Sequence, residues 1–448
     1  MTSPMRTSTV FAAASLSCGL PLSLIAAQTV RDTLSRGVVI DTVHAISDTS
    51  QTYSLYLPRG YDRHRRWPVL LLMDPRGRAQ LPMRLFRAAA ERYGYIVMSS
   101  YQTQSDGPIE PNDRAINALL EDARTRFSVD AHRFYFAGFS GTGRLAWNYG
   151  YSIPDNVAGL IEIGAGLPTP QLLLQRSVAR QTTPFPVFLS VGTTDFNYEE
   201  VRALDEKLEA FGIRHHLEFF DGPHSWPPES VCTNALTWLQ VQAMRDGRLA
   251  VNGTWIDSVY NATAASIDST ARIDPYAAYR MYHQAAADFA NLHDTKILAD
   301  AEARMVASDA VRRTARRMAD LTAESQAALE REDAFFADFP RSDRPPALDH
   351  LRSALKLDAL MDRARQSGDV LGMLAAKREL SSIFVRASFY EPRRYLAMSD
   401  TLKALTMYAL AQSIQPENPQ LCAERNELYR KYSIRKSVGR ELGCQSRQ

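Results

Sequence analysis

One change of period limits what this chain can fold into more than any other feature. The run from His132 to Ala137 reads as a buried strand, and the residues after Gly141 read as a helix. Between them stand Gly138-Phe139-Ser140-Gly141. A serine on so short a strand-to-helix turn is held outside ordinary packing, with its hydroxyl directed off the sheet. Small residues must flank it because the two backbones come close there. Gly138 supplies one. Thr142 stands where a second glycine is usual, and Gly143 comes one residue late.

A serine hydroxyl is a weak nucleophile at neutral pH and needs an imidazole to take its proton. The imidazole in turn needs a carboxylate that fixes its tautomer and stabilises its charged form. Both are available, in the order that an α/β-hydrolase fold requires. Pro186 to Val191 reads as a strand and runs into Gly192-Thr193-Thr194-Asp195. Leu217 to Phe220 reads as another and runs into Asp221-Gly222-Pro223-His224. Ser140, Asp195 and His224 therefore each follow the carboxyl end of a strand, where open α/β sheets carry their sites.

The apolar run Trp67–Met73 is followed by Asp74-Pro75-Arg76-Gly77-Arg78. In this fold one oxyanion donor is the amide after the nucleophile, here Gly141, and the other comes from the loop after the third strand. Pro75 has no N–H, which leaves the Arg76 amide as the expected second donor and Gly77 behind it. Tyr101, Gln102 and Trp226 are expected near the site as substrate-shaping residues, and Trp226 reads equally well as packing that fixes the His224 loop.

With these residues in place, Gly138-Phe139-Ser140-Gly141, Gly192-Thr193-x-Asp195 and Gly222-Pro223-His224-Ser225-Trp226-Pro227 resemble the polyhydroxybutyrate-depolymerase-like and feruloyl-esterase-like α/β-hydrolases. The resemblance runs from about Val38 to Arg245. It implies acyl-ester hydrolysis through a serine acyl-enzyme, with Ser140 as nucleophile, Asp195 as acid and His224 as base. Thr142, and the Asp74-Pro75-Arg76-Gly77 loop in place of a His-Gly loop, depart from the pattern.

Strand-like and helix-like stretches alternate from Gly37 to Trp238, beginning with a hairpin of Val38–Val43 and Tyr53–Leu57, which argues a mostly parallel sheet covered by helices. The Gly164–Pro184 connection is too short for a large cap, so the pocket is expected to be open unless another part of the chain covers it. After Gly253 glycine becomes rare and the pattern turns helical. The expected organisation is an export leader over 1–27, a hydrolase domain over 28–250 and an all-helical domain over 251–448. Ala404–Ile414, Gln415-Pro416-Glu417-Asn418-Pro419 and the next helix resemble one tetratricopeptide-type hairpin or a plain helix pair. The helical domain is expected to overhang the pocket or to recruit a protein partner.

The formal net charge of +2 gives no reason to expect nucleic acid or an anionic membrane as partner. The Arg312-Arg313 and Arg316-Arg317 cluster reads as one solvated helix face. Arg6, the apolar Val10–Ile25 and Ala26-Ala27 before Gln28 read as a cleaved export signal, interrupted by Pro21 and too weak to span a membrane. Export permits a disulfide, with Cys422 and Cys444 the nearer pair and Cys232 left over; Cys18 sits in a poor lipid-attachment context. The cysteines give no metal-site spacing, and His215 and His216 would face opposite sides of a strand. No metal or cofactor is therefore expected. The acyl group stays open among short-chain, aromatic polysaccharide-linked and hydroxyalkanoate polyesters. So do two rival readings: a decayed hydrolase scaffold with a helical interaction module, and a peptidase or acyltransferase.

Overall fold

The apolar runs of the first half become the strands of one eight-stranded sheet. In chain order these are β1 (Val39–His44), β2 (Thr52–Tyr56), β3 (Trp67–Met73), β4 (Ile96–Ser100), β5 (Val129–Phe139), β6 (Val157–Ile163), β7 (Val187–Gly192) and β8 (His215–Phe220). Their spatial order is β1-β2-β4-β3-β5-β6-β7-β8. The leading pairs β1/β2 and β2/β4 are antiparallel, and every later pair is parallel. Strands β3, β4, β6 and β7 are buried along their whole length. They read as unbroken apolar runs because parallel strands are covered on both faces. The computed structural model describes residues 34–167, 185–339 and 346–431. The leader over 1–27, Cys18, Cys444 and its expected pairing with Cys422, and most of the Gly164–Pro184 connection lie outside the described residues.

Helices α1 (Gln80–Tyr93), α2 (Glu110–Arg126), α3 (Gly141–Ser152), α4 (Tyr198–Ala210) and α5 (Glu229–Arg245) flank the sheet. The mostly parallel sheet with helices on it is the α/β-hydrolase arrangement expected from the sequence. Among the described residues from Gly253 onward only helices follow: α6 (Gly253–Ala271), α7 (Pro275–Asp288), α8 (Lys296–Val306), α9 (Asp309–Asp338), α10 (Leu348–Ala354), α11 (Leu357–Arg363), α12 (Val370–Val385), α13 (Glu391–Ala397), α14 (Thr401–Ile414) and α15 (Pro419–Lys431). Polar side chains start many of them. Asp274, Ser308, Asp369 and Asp400 each accept a first-turn amide N–H and satisfy donors that the helix leaves open. Between α12 and α13 lies a π turn, Arg386–Tyr390, closed by the Glu391 amide on the Arg386 carbonyl.

The described residues from Ser35 onward gather into one compact unit. The last helix of the sheet region is shared with the helical region: Val241 and Met244 of α5 bury against Ile256, Tyr260, Tyr282 and Phe289. Asp288, at the end of α7, accepts the Trp238 indole N–H at 2.5 Å and lies 2.9 Å from His216 Nδ1. His215 turns instead toward Asp205, at 3.2 Å. The two adjacent histidines thus have separate carboxylate partners, and among the described residues no cluster could hold a metal ion. Among the described helices none is long and apolar enough to cross a membrane.

Candidate active site

The turn after β5 is built around a strained serine. Ser140 has φ 56° and ψ −131°, a region that costs a non-glycine residue energy and persists only when its surroundings enforce it. Gly138 is one enforcer. A Cβ there would lie 2.2 Å from the Thr142 carbonyl oxygen, so no side chain fits. Thr142 is the other. It is fully buried, and its hydroxyl donates to the Met73 carbonyl at 2.7 Å with the Phe139 carbonyl 2.8 Å away, while accepting the Phe139 N–H at 3.2 Å. A side chain at this position does not loosen the elbow; its hydroxyl ties the start of α3 to the ends of β3 and β5.

Three loops bring the expected residues together. His224 Nε2 lies 2.9 Å from Ser140 Oγ, and His224 Nδ1 lies 2.9 Å from each carboxylate oxygen of Asp195. A carboxylate only accepts hydrogen bonds, so it places the imidazole proton on Nδ1 and leaves the Nε2 lone pair for the serine hydroxyl. Asp195 is fully buried, and the His224 side chain is 17% exposed. The imidazole is clamped between Phe139 and Phe196, with ring centroids 4.5 and 4.3 Å away. The acid and histidine loops touch at Gly192, where a Cβ would lie 2.3 Å from the Gly222 carbonyl oxygen. The Thr194 amide and hydroxyl both donate to that same carbonyl, at 3.0 and 2.9 Å.

The Gly141 amide opens α3 and, as the first N–H of a helix, has no intrahelical partner. It is the amide of the residue that directly follows Ser140. Arg76 requires a correction. Its amide N–H donates to Asp74 Oδ1 at 2.9 Å, and the Gly77 amide donates to the Asp74 carbonyl at 3.1 Å. Both candidate donors are folded back onto Asp74, the Arg76 amide onto its carboxylate and the Gly77 amide onto its backbone carbonyl.

Asp74 is the organising residue that the sequence reading missed. It is fully buried and accepts from the Arg76 and Arg78 amides, from the Arg78 guanidinium at 3.0 and 2.9 Å, and from the Trp226 indole N–H at 2.8 Å. Burial works to raise its pKa. The hydrogen bonds from Arg78, Trp226 and the two amides outweigh burial and hold it below the usual carboxylate value. The loop after β3 and the His224 loop are thereby joined through one carboxylate. An aspartate at the end of an apolar strand was the available signal; its indole partner, far away in sequence, gave none.

Of the three expected substrate-shaping residues, all line the cleft, but each has its polar group committed inward. Trp226 is buried against Phe86 and Phe139. The Tyr101 hydroxyl donates to the Asp41 carbonyl at 2.8 Å, and the Gln102 amide bonds Thr52 at 2.8 and 2.9 Å. They build the wall and leave little free polarity toward a ligand.

The cleft that opens on Ser140 and His224 has a volume of about 1070 Å³. Part of its lining comes from the helical region: Val385, Phe389, Tyr390, Arg393 and Gln420. Four of these flank or occupy the π turn. The Arg393 guanidinium lies over the Phe389 ring, 3.4 Å from its centroid.

No family model matches the chain, and no curated protein matches it. Among solved structures, the chain is similar to the substrate-bound fluorophosphonate-binding serine hydrolase FphF of Staphylococcus aureus, at 16% identity over 46% of this chain and 99% of that one, with a TM-score of 0.39. It is also similar to the S-formylglutathione hydrolase FrmB of Staphylococcus aureus, at 16% identity over 45% of this chain and 95% of that one, with a TM-score of 0.38. A ferulic acid esterase matches at 17% identity over 46% of this chain and 98% of that one, with a TM-score of 0.37.

Proposed function

We propose that this chain is a serine hydrolase that cleaves carboxylic esters. The observation that carries the reading is the unbroken series Ser140 Oγ, His224, Asp195, with 2.9 Å at each link and a strained φ at the serine. In the reading, Ser140 Oγ attacks the acyl carbon while His224 Nε2 takes the hydroxyl proton. Asp195 holds the imidazole in the required tautomer and stabilises the charge that forms on it. The Gly141 amide donates to the tetrahedral oxyanion, an interaction of a kind that contributes about 3 kcal/mol. His224 returns the proton to the leaving alcohol, and water then attacks the acyl-enzyme by the same route. None of these steps calls on a cofactor.

The cleft has room for a bulky acyl or alcohol group as well as for a small one. We read the hydrolase domain as 28–250 and the helical domain as 251–448. We also place the protein outside the cytoplasm, on the strength of its N-terminal leader; the N-terminus of the exported chain should then begin at Gln28.

A fluorophosphonate probe tests the chemistry directly. Labelling at Ser140 and ester turnover are expected in the intact chain, and Ser140→Ala should abolish the labelling and lower kcat by about 10⁴-fold or more. Absence of labelling in the folded chain would return the scaffold reading. Turnover of peptides, or transfer to alcohols in preference to water, would move it to a peptidase or acyltransferase.

A further inference from the structure

Arg378 lies on α12, in the region that carries no catalytic side chain, and is only 7% exposed. A buried guanidinium is costly unless it is paired. Its Nη1 donates to the Thr193 carbonyl at 3.2 Å, and its Nη2 donates to Glu199 Oε1 at 3.3 Å. Its Cζ stands 4.1 Å from the centroid of the Tyr198 ring, within the range of a cation–π contact. These three partners bracket Asp195. Thr193 precedes it in the same turn, and Tyr198 and Glu199 open the helix α4 that follows it.

The turn is held from two sides. Toward the sheet, the Thr193 amide donates to the Phe220 carbonyl at 2.9 Å and the Thr194 amide to the Gly222 carbonyl at 3.0 Å, which ties it to the His224 loop. Among the described residues of the helical region, the polar contacts on the turn and the first turn of α4 are Arg378 and Thr322, whose hydroxyl is 3.5 Å from Glu199 and accepts from Arg202 at 3.1 Å. Arg378 alone of the two reaches the backbone of the turn itself. A fork that grips both a carbonyl and a carboxylate fixes orientation as well as distance.

We propose that Arg378 is a positioning residue for ester cleavage: from the helical region it fixes the turn that carries Asp195, and so sets how that carboxylate meets His224. This rests on the esterase reading above. The helical region is on this account a working part of the catalytic centre, because Arg378 adds a hold from outside to those that the Asn197 amide makes on Asp195 Oδ1 at 2.8 Å and the Asn197 side chain on the Gly164 carbonyl at 2.8 Å. Removing the guanidinium leaves no stranded charge, since Glu199 keeps Arg202 at 3.3 Å. The variant should therefore fold.

The test uses the full chain. Ser140-dependent ester turnover and fluorophosphonate labelling are read first in the unsubstituted protein; their absence sinks the esterase reading, separately from anything Arg378 does. Arg378→Ala is then compared by thermal melting and steady-state kinetics. The expected result is a folded protein whose kcat falls about 10- to 100-fold, the loss typical of a slightly misplaced catalytic group, with KM nearly unchanged. Its labelling rate should fall in parallel, and added guanidinium ion at low concentration should restore part of kcat. A folded Arg378→Ala protein with undiminished kcat overturns the proposal, as does a loss that follows the melting temperature and is not rescued by guanidinium. Should Arg378→Ala not fold, Arg378→Lys decides: it keeps the charge and loses the fork, so a lowered kcat at constant KM supports the proposal and an unchanged kcat overturns it.

Discussion

Thr142 shows how one hydroxyl can carry a turn. Replacing it by valine keeps its shape but strands the buried Phe139 N–H and the Met73 carbonyl, a cost of about 1–3 kcal/mol. Thr142→Val is expected to lower the melting temperature and kcat together, whereas a loss of kcat alone would mean the tether acts only on Ser140. Glu162 makes a second prediction. It lies in β6, buried beneath the elbow, accepts the Trp147 indole N–H, and leaves its Oε1 without a partner among the described residues. Burial is the main cause that pushes its pKa up to about 8, with the Glu200 charge adding and the Trp147 hydrogen bond and Arg144 opposing. Its proton is thus kept in the folded state and lost from the unfolded chain as pH rises past about 4.3, the ordinary glutamate value. The folded state binds more protons across that window, so this residue makes stability fall as pH rises toward 8. Glu162→Gln should therefore gain stability relative to the parent between pH 5 and pH 8, measured as the difference in melting temperature at the two values. A constant difference would contradict the sign. Ser140, Asp195 and His224 were legible as single residues because each ends an apolar strand. Arg378 was not: between Lys377 and Glu379 on a helical pattern it looks like any solvated charge, and only burial against a distant loop distinguishes it.

Among the elements, the π turn at Arg386–Tyr390 has an identifiable cause. Pro392 stands one residue into α13 and lacks the N–H that would bond the carbonyl four residues back, at Ser388, and in a regular helix its ring would clash with that same carbonyl. The backbone answers by widening, with Glu391 reaching five residues back to Arg386. The widened turn presents Phe389 and Tyr390 to the cleft, and Tyr390 remains 45% exposed. Pro392→Ala should let the ordinary helix resume and swing both rings by roughly 100° per residue of register. Kinetics on a bulky and a short-chain ester check this: KM for the bulky one should rise while the short-chain one is unaffected. Equal effects on both would place the turn outside substrate binding. The strands read at Trp67–Met73, Pro186–Val191 and Leu217–Phe220 fall within two residues of the observed limits of β3, β7 and β8, because parallel strands leave short apolar runs. The π turn was hidden because its aromatic pair has the spacing of ordinary helix core, although Pro392 inside a helical run was the available sign.

At the scale of the molecule, the helical region leans on the sheet through α5 and through Asp288, Arg280 and Arg378. Arg280 donates to Asp205 at 2.6 Å, which also faces His215. A chain ending near Asn252 would expose the apolar side of α5 around Val241 and Met244 and leave the Trp238 indole N–H without its carboxylate. Such a truncation is expected to melt at a markedly lower temperature than the full chain and to lose ester turnover, checked by thermal unfolding and by kinetics at a temperature where it is still folded. A stable, fully active fragment would show the sheet region to be self-sufficient. The change of composition after Gly253 revealed a helical second half, but not its contacts, since periodicity reports which face of a helix is apolar and not what covers it.

The tie between Thr193 and Arg378 also has a consequence in time. A ribosome releases the nucleophile, the acid and the base long before it has made the arginine that steadies the acid. The half-finished polypeptide would then carry every reacting group and still be a poorer catalyst, and hydrolysis would reach its full rate only after Arg378 had been made and folded into place.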